Sequence, residues 1–316
     1  MRDHTYSMNS DIQPTPRLAR IGLAEFGIDV GTKCSHGCTY CTNNAMRDTH
    51  CHESFRQAGE DPFGTEFSIV DPDMASKVSY RAKKSRNRGL VQLCNSSDAW
   101  APEARKHNLG RRCLEALLAE PGWTVRVLTK NAAVAEDFDL ILKHRERVLV
   151  GLSLTGTPDK EEVLSVVEPL ASPLSERFAV LEKARRMGLR TYGMLCPLLP
   201  GIADDLFQID YLVRFLAYCR VEEVFAEGVS PRGHSLKRTS EALRAAGFHA
   251  EADAVLGIRS WDQRSRYLNQ LLVNLQQSVR RHMWSIDMLK FPLFHFSRYG
   301  GEDARIRETD QGVVWL

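Results

Sequence analysis

A chain of 316 residues with 43% hydrophobic and 26% charged content is long enough to bury a full core and has the balance of a soluble globular protein. No apolar run approaches the ~18 residues of a membrane span and no apolar signal core opens the chain, so a cytoplasmic protein is expected, with its eight cysteines reduced rather than paired. A formal net charge of +2 gives no global electrostatic case for nucleic acid, so any basic contact surface has to be local.

Residues 1–17 are polar with two prolines and are predicted to be a flexible lead-in. Phe26–Val30 reads as a short strand that delivers the chain to KCSHGCTYCTNN, Lys33 to Asn44. There Cys34, Cys38 and Cys41 are spaced C-x-x-x-C-x-x-C. Three soft thiolates fill three ligand positions of a cubic 4Fe-4S cluster and leave one iron open to a substrate or second cofactor. Gly37 permits a left-handed turn inside the loop, and Tyr40 sets an aromatic ring beside the last cysteine. A structural zinc site is the alternative, although zinc prefers paired cysteines matched by a second pair or by histidines. His50, Cys51 and His52 follow closely, but a surface loop explains them as well as a metal does.

Further strands are predicted at Leu90–Leu93, Thr124–Thr129, Arg147–Leu154, Arg190–Leu195 and Glu223–Glu227. Helices alternate with them at Arg111–Glu120, Val134–His144, Leu174–Met187 and Leu206–Cys219, the third closed by Gly188. With Phe26–Val30 this makes about six βα units, hence a parallel sheet with right-handed crossovers. The expected fold is α/β, a partial (β/α)6 barrel over residues 18–230. A mostly helical extension follows over 231–316, with amphipathic stretches at Ser240–Ala246 and Tyr267–Val279. Its aromatic Phe291–Phe296 segment and closing Val313–Leu316 either shape a pocket or dock a partner.

In such folds the chemistry gathers at the C-terminal strand ends. Those ends carry Cys94, Ser97 and Asp98, then Lys130, then Ser153 and Thr155, then Cys196, then Glu227. A lysine for a carboxylate, an aspartate for an amino or ribose group, and hydroxyls at Ser97, Ser153 and Thr155 suit a zwitterionic nucleoside ligand. Each is also a common turn or capping residue.

The cysteine spacing resembles the radical S-adenosylmethionine enzymes. The ordered set C-S-H-G-C-T-Y-C, S-D-A-W-A-P-E, V-L-T-K, G-L-S-L and Val167–Arg177, closing on Pro200-Gly201, resembles their spore photoproduct lyase branch over residues 24–230. The resemblance implies a 4Fe-4S cluster on Cys34, Cys38 and Cys41. It implies S-adenosylmethionine bound by Tyr40, Ser97, Asp98, Lys130, Ser153 and Thr155, and an electron donor such as flavodoxin or ferredoxin. It also implies hydrogen abstraction from a substrate by a 5′-deoxyadenosyl radical. Cys94 and Tyr40 are the catalytic candidates carried over for hydrogen return. Thr42 stands where the lyase has a second tyrosine, Cys94 is one residue off the donor position, and Trp100-Ala-Pro replaces the pattern Y-Q-P of broader relatives. Repair of spore photoproduct is therefore not supported.

Three hypotheses follow: a radical enzyme acting on a nucleic acid base or nucleotide, the same chemistry on a peptide or small metabolite, and a non-catalytic zinc- or cluster-stabilised nucleic-acid-binding module. Arg81–Arg88, with five positive charges in eight residues, is either a phosphate-binding patch or a solvated helix end.

Overall fold

The computed structural model describes residues 1–42, 51–62, 64–293, 306 and 309–315. Eight parallel strands, the fifth split at Tyr192 into two segments, lie side by side in the order in which they occur in the chain. Phe26–Ile28, Leu90–Leu93, Thr124–Thr129, Val148–Leu152 and Arg190–Thr191 form one ladder. Gly193–Leu198, Val224–Gly228, Leu289–Leu293 and Val313–Trp315 form a second. A parallel bridge from Ser153 to Met194 joins the two. Strands of this kind are covered on both faces, which accounts for their runs of Val, Ile and Leu.

The pleat sorts the side chains. Val91, Leu93, Val125, Val127, Val148, Val150 and Leu152 point into the main core, under helices that include Met74–Lys84, Leu109–Leu118 and Leu174–Arg186. Their alternate neighbours Leu149, Tyr192, Met194 and Phe225 form a second core on the other face. That second face is covered by Leu18, Ile21, Leu23 and Ala24, in and just after the short Pro16–Arg20 helix.

The predicted elements are present, with shifted ends. The Val134–His144 helix resolves into a 3-10 turn over Ala132–Asp137 followed by a helix over Phe138–Lys143. Residues 1–17 differ from the expected flexible lead-in. Arg2–Thr5 pairs with Phe67–Val70 in a small side sheet completed by Gly31–Lys33. Lys77 Nζ also donates to the Met8 carbonyl at 2.7 Å. The polar composition hid this because the pairing is made by backbone groups. The segment after 231 contributes helices Ser235–Ala245, His249–Leu256 and Trp261–His282, and then strands Leu289–Leu293 and Val313–Trp315. Leu289 sits opposite Val224, so the sheet continues past the strand predicted to be its last. No helix among the described residues is long and apolar enough to cross a membrane.

Candidate functional site

The cysteine loop leaves the C-terminal end of the first strand through Gly31–Lys33. Gly37 has φ +67°, the left-handed turn the spacing asks for. The Cys41 amide donates to the Cys38 carbonyl at 3.1 Å, closing the turn between the last two cysteines. Two backbone bonds tie the loop to the segment after the Glu161–Val167 helix: Thr39 N to Val167 O at 2.9 Å and Leu170 N to His36 O at 3.2 Å. The Ser35 amide donates to buried Glu103 at 3.0 Å. From the far side the Ser235–Ala245 helix grips the loop. Arg238 donates to the Cys41 carbonyl at 2.8 Å, and the Thr239 and Thr39 hydroxyls meet at 3.0 Å. Ser35, His36, Thr39, Glu103, Val167 and Leu170 fall inside the motif stretches without a legible anchoring role, and Arg238 and Thr239 fall outside them, because each contact acts across a long separation.

Tyr40 is buried and its phenol donates to Glu168. Glu168 is paired with Arg177 at 2.5 Å, both almost wholly buried. Arg177 also donates to the Ser172 carbonyl at 2.7 Å and the Ser153 carbonyl at 3.1 Å. Lys130 Nζ lies 5.8 Å from the centre of the Tyr40 ring. Burial opposes charge on Glu168, yet Arg177 and Lys130 outweigh it and hold the carboxyl below its usual range. Burial likewise opposes charge on Lys130, but Glu168 and Cys38 keep its amine raised. Burial, with the Cys38 and Glu168 charges, lifts the Tyr40 phenol far above its ordinary value, so it remains a donor. Val167–Arg177 thus supplies a buried acid–base pair whose role its sequence alone did not disclose.

Cys34, Cys38 and Cys41 are free thiols, half-buried, and close enough that charge on Cys38 and Cys41 bears on Cys34. Burial, with Glu168 adding to it, pushes Cys38 up to about 12, and burial with Glu103 also raises Cys34 well above its ordinary value. Lys33 lies within reach of all three thiols and Arg238 within reach of Cys41. His36 Nδ1 is 3.5 Å from Asp98, and its Nε2 is buried without a partner. Burial raises Glu103 to about 7. Among the described residues, no three His, Cys, Asp or Glu side chains converge on one metal ion. A cubane takes one thiolate per iron and spreads its ligands more widely than a single ion does. Three unpaired thiols, flanked by Lys33 and Arg238, fit the donor set of such a cluster. The His50-Cys51-His52 stretch lies outside the described residues, apart from the backbone of Cys51 and His52 at the start of a helix.

The strand-end residues divide. Cys196 packs against the second core, Glu227 stands two residues after Phe225 of that core, and Ser153 bridges to Met194. Lys130 and Thr155 lie beyond the ends of their strands, Lys130 over the Tyr40 ring. Thr155 Oγ1 is buried with no partner. Cys196 Sγ donates to Glu227 at 3.7 Å. Asp98, by contrast, already accepts from Trp100 N, the Thr129 hydroxyl and Lys130 N at 2.8–2.9 Å. Ser97 Oγ accepts from Val30 N at 3.0 Å. Cys94 adopts φ +69°, packs in the main core and receives Ala99 N on its sulfur at 3.0 Å. Its charge neighbours are Asp98, Asp29 and Cys113, the last on the helix covering the first face. A cavity of about 240 Å³ is lined by Trp100, Arg105, Asn108 and Arg111, and none of the three loop cysteines, Lys130 or Ser153 borders it.

No family model matches the sequence. The uncharacterized protein ORF301 of Acidianus two-tailed virus is 25% identical over 217 residues, 66% of this chain and 69% of that protein. The uncharacterized protein MJ0683 of Methanocaldococcus jannaschii is 21% identical over 202 residues, 64% of this chain and 68% of its own length. Among solved structures, spore photoproduct lyase complexed with dinucleoside spore photoproduct matches with a TM-score of 0.57 at 13% identity, over 89% of this chain and 79% of that one. A double mutant of that enzyme with bound AdoMet and dinucleoside spore photoproduct matches with a TM-score of 0.57 at 14% identity, over the same shares. The chain is therefore a mixed α/β protein whose fold is similar to that of spore photoproduct lyase.

Proposed function

We propose that this chain is a radical S-adenosylmethionine enzyme acting on a nucleic acid base or nucleotide, with its sheet curved into the partial (β/α)6 barrel of that class. The observation that carries the reading is a C-x-x-x-C-x-x-C loop at the end of the first strand of a fold similar to spore photoproduct lyase. Cys34, Cys38 and Cys41 would hold a 4Fe-4S cluster. When bound, that cluster supplies the electron that cleaves S-adenosylmethionine and gives a 5′-deoxyadenosyl radical.

The chain's own residues prepare the site. Lys33 and Arg238 offset the negative charge that three thiolates bring together. Lys130, held charged by Glu168, offers the S-adenosylmethionine carboxylate a partner. The unpaired Thr155 hydroxyl and Ser153 extend the same face. Asp98, with its oxygens committed to the Thr129 hydroxyl and the Lys130 backbone amide, fixes the backbone from which the lysine extends and does not contact the ligand. Cys196 on that face and Tyr40 beside Lys130 are the groups available to a substrate radical, whereas Cys94, although its sulfur only accepts from Ala99 N and keeps its hydrogen, is turned away from Cys196 into the main core. An external one-electron donor of the flavodoxin or ferredoxin kind completes the electron balance.

The test is anaerobic reconstitution with iron and sulfide, addition of S-adenosylmethionine and dithionite, and mass spectrometry for 5′-deoxyadenosine. The wild type is expected to produce it and Cys38→Ala to produce none. A colourless zinc protein with no product would defeat the reading.

A further inference from the structure

The tie between the cysteine loop and the segment after the second strand differs from those at Thr39 N, Leu170 N and Arg238, which each end on a main-chain carbonyl. Here the Ser35 amide donates to a side-chain carboxylate, Glu103 Oε1, at 3.0 Å. Both residues are shut from water, Ser35 at 2% and Glu103 at 3% exposure. The second carboxylate oxygen and the Ser35 hydroxyl are buried without a hydrogen-bond partner. A buried carboxyl that makes only part of its hydrogen bonds costs stability, so its place beside the loop calls for a functional account.

The carboxyl is aimed by a stiff support. Glu103 lies in the short Pro102–Arg105 helix, whose start is fixed by Ala101 N to Asp98 O at 3.2 Å and Arg105 N to Ala101 O at 3.0 Å. Ala101 and Ala104 flank it and are fully buried. Just before the helix the Trp100 indole donates to Asp137 at 2.8 Å. The same ring lies against Gly110, where a Cβ would come within 2.6 Å of it. Glu103 therefore has little freedom to leave the amide.

Ser35 follows Cys34 directly, so covalent geometry alone keeps its amide proton close to the Cys34 sulfur. Hydrogen bonds to the sulfurs of an iron–sulfur cluster stabilise its reduced, more negative state and raise its potential. An amide held by a carboxyl is withdrawn from that role. We propose that Glu103 is a positioning residue that keeps the potential of the cluster low by holding the Ser35 amide away from the Cys34 sulfur. The inference rests on the reading of Cys34, Cys38 and Cys41 as cluster ligands and adds to it. A low potential favours the electron transfer to S-adenosylmethionine that the proposed chemistry needs.

Two substitutions separate the hydrogen bond from the charge. Glu103→Gln keeps an acceptor oxygen at the same reach and removes the charge. Glu103→Asp keeps the carboxyl but shortens the side chain by one methylene, which takes the oxygen out of range of the amide. The full chain and both variants are reconstituted anaerobically with iron and sulfide, and midpoint potentials are read at one pH by redox titration with electron paramagnetic resonance. Glu103→Asp is expected to shift the reduction equilibrium upward about tenfold, about 59 mV for one electron. Glu103→Gln is expected to stay within about threefold of the wild type. Electron–nuclear double resonance in deuterated buffer is expected to show one more exchangeable hydrogen coupled to the cluster in Glu103→Asp than in the other two proteins. Unshifted potentials in both variants, or a larger shift in Glu103→Gln than in Glu103→Asp, overturn the proposal. Should Glu103→Asp lose its cluster, the near-isosteric Glu103→Gln decides alone: a shift within about threefold supports the role, and a larger one overturns it. Formation of 5′-deoxyadenosine is read in parallel. Its presence without the expected order of potentials defeats the Glu103 role alone, and its absence with that order intact defeats the radical reading alone. A wild type that takes up zinc and no cluster defeats both.

Discussion

Glu168 and Arg177 carry opposite charges where almost no water reaches, and Tyr40 leans on the first of them. Breaking such a pair strands one charge, which costs about 3–5 kcal/mol, whereas removing both charges together is often nearly neutral. Glu168→Gln is therefore expected to lower the thermal midpoint sharply, and the double variant Glu168→Met with Arg177→Met to recover much of the loss. Denaturation of the two proteins side by side checks this, and a double variant as unstable as the single one would contradict it. The residue types at this site were legible in the sequence, and several of their partnerships were not. Asp98 read as a ligand candidate by position, but its oxygens are met by Trp100, Thr129 and Lys130, two of them 31 and 32 residues away. Glu168 and Arg177 appeared only as part of a family-like stretch, since nothing local in a sequence says that a glutamate is reached by a tyrosine 128 positions earlier.

Strands and helices were easier to read than contacts, because periodicity is local and tertiary reach is not. Thr124–Thr129 falls where its alternation predicts. The same alternation places Cys196 and Glu227 on the face of Met194 and Phe225, as residues two apart on a strand must be. Cys94 departs from that pattern because a left-handed residue ends its strand and carries the thiol into the main core. The Ser235–Ala245 helix was legible as a helix, but not as a clamp on the cysteine loop. Arg238 makes that clamp electrostatic as well as steric, since its charge lies beside Cys41. A cation there favours the more negative, reduced state of a cluster held by the loop. Arg238→Met is expected to shift the midpoint potential of the reconstituted protein downward, on the order of tens of millivolts. A redox titration followed by electron paramagnetic resonance reads it, and an unchanged potential would mean that Arg238 only anchors the backbone.

In the molecule as a whole, parallel strands give the sheet two unlike ends. The cysteine loop and Lys130 follow the C-terminal ends of their strands, and Cys196 lies in the C-terminal half of its own. The basic stretch Arg81–Arg88 closes the Met74–Lys84 helix and leads into Leu90, the start of a strand, so it belongs to the opposite end. Its charges are also engaged locally. Arg81 pairs with Asp11 at 2.9 Å, and Arg88 donates to Pro121 O at 2.6 Å and to Glu120 at 3.2 Å. A count of lysines and arginines marked this stretch as a phosphate-binding candidate. Charge clustering along a sequence finds surface charge, whereas a ligand is held by charges that the fold converges from distant positions. Changing Lys83, Lys84 and Arg86 together to glutamine is therefore expected to leave the affinity for a thymidine dinucleotide within about twofold at ~0.15 M salt, where the screening length is about 8 Å. A loss well beyond twofold in the triple glutamine variant would move the nucleic-acid contact to the far end of the sheet and separate it from the cysteine loop altogether.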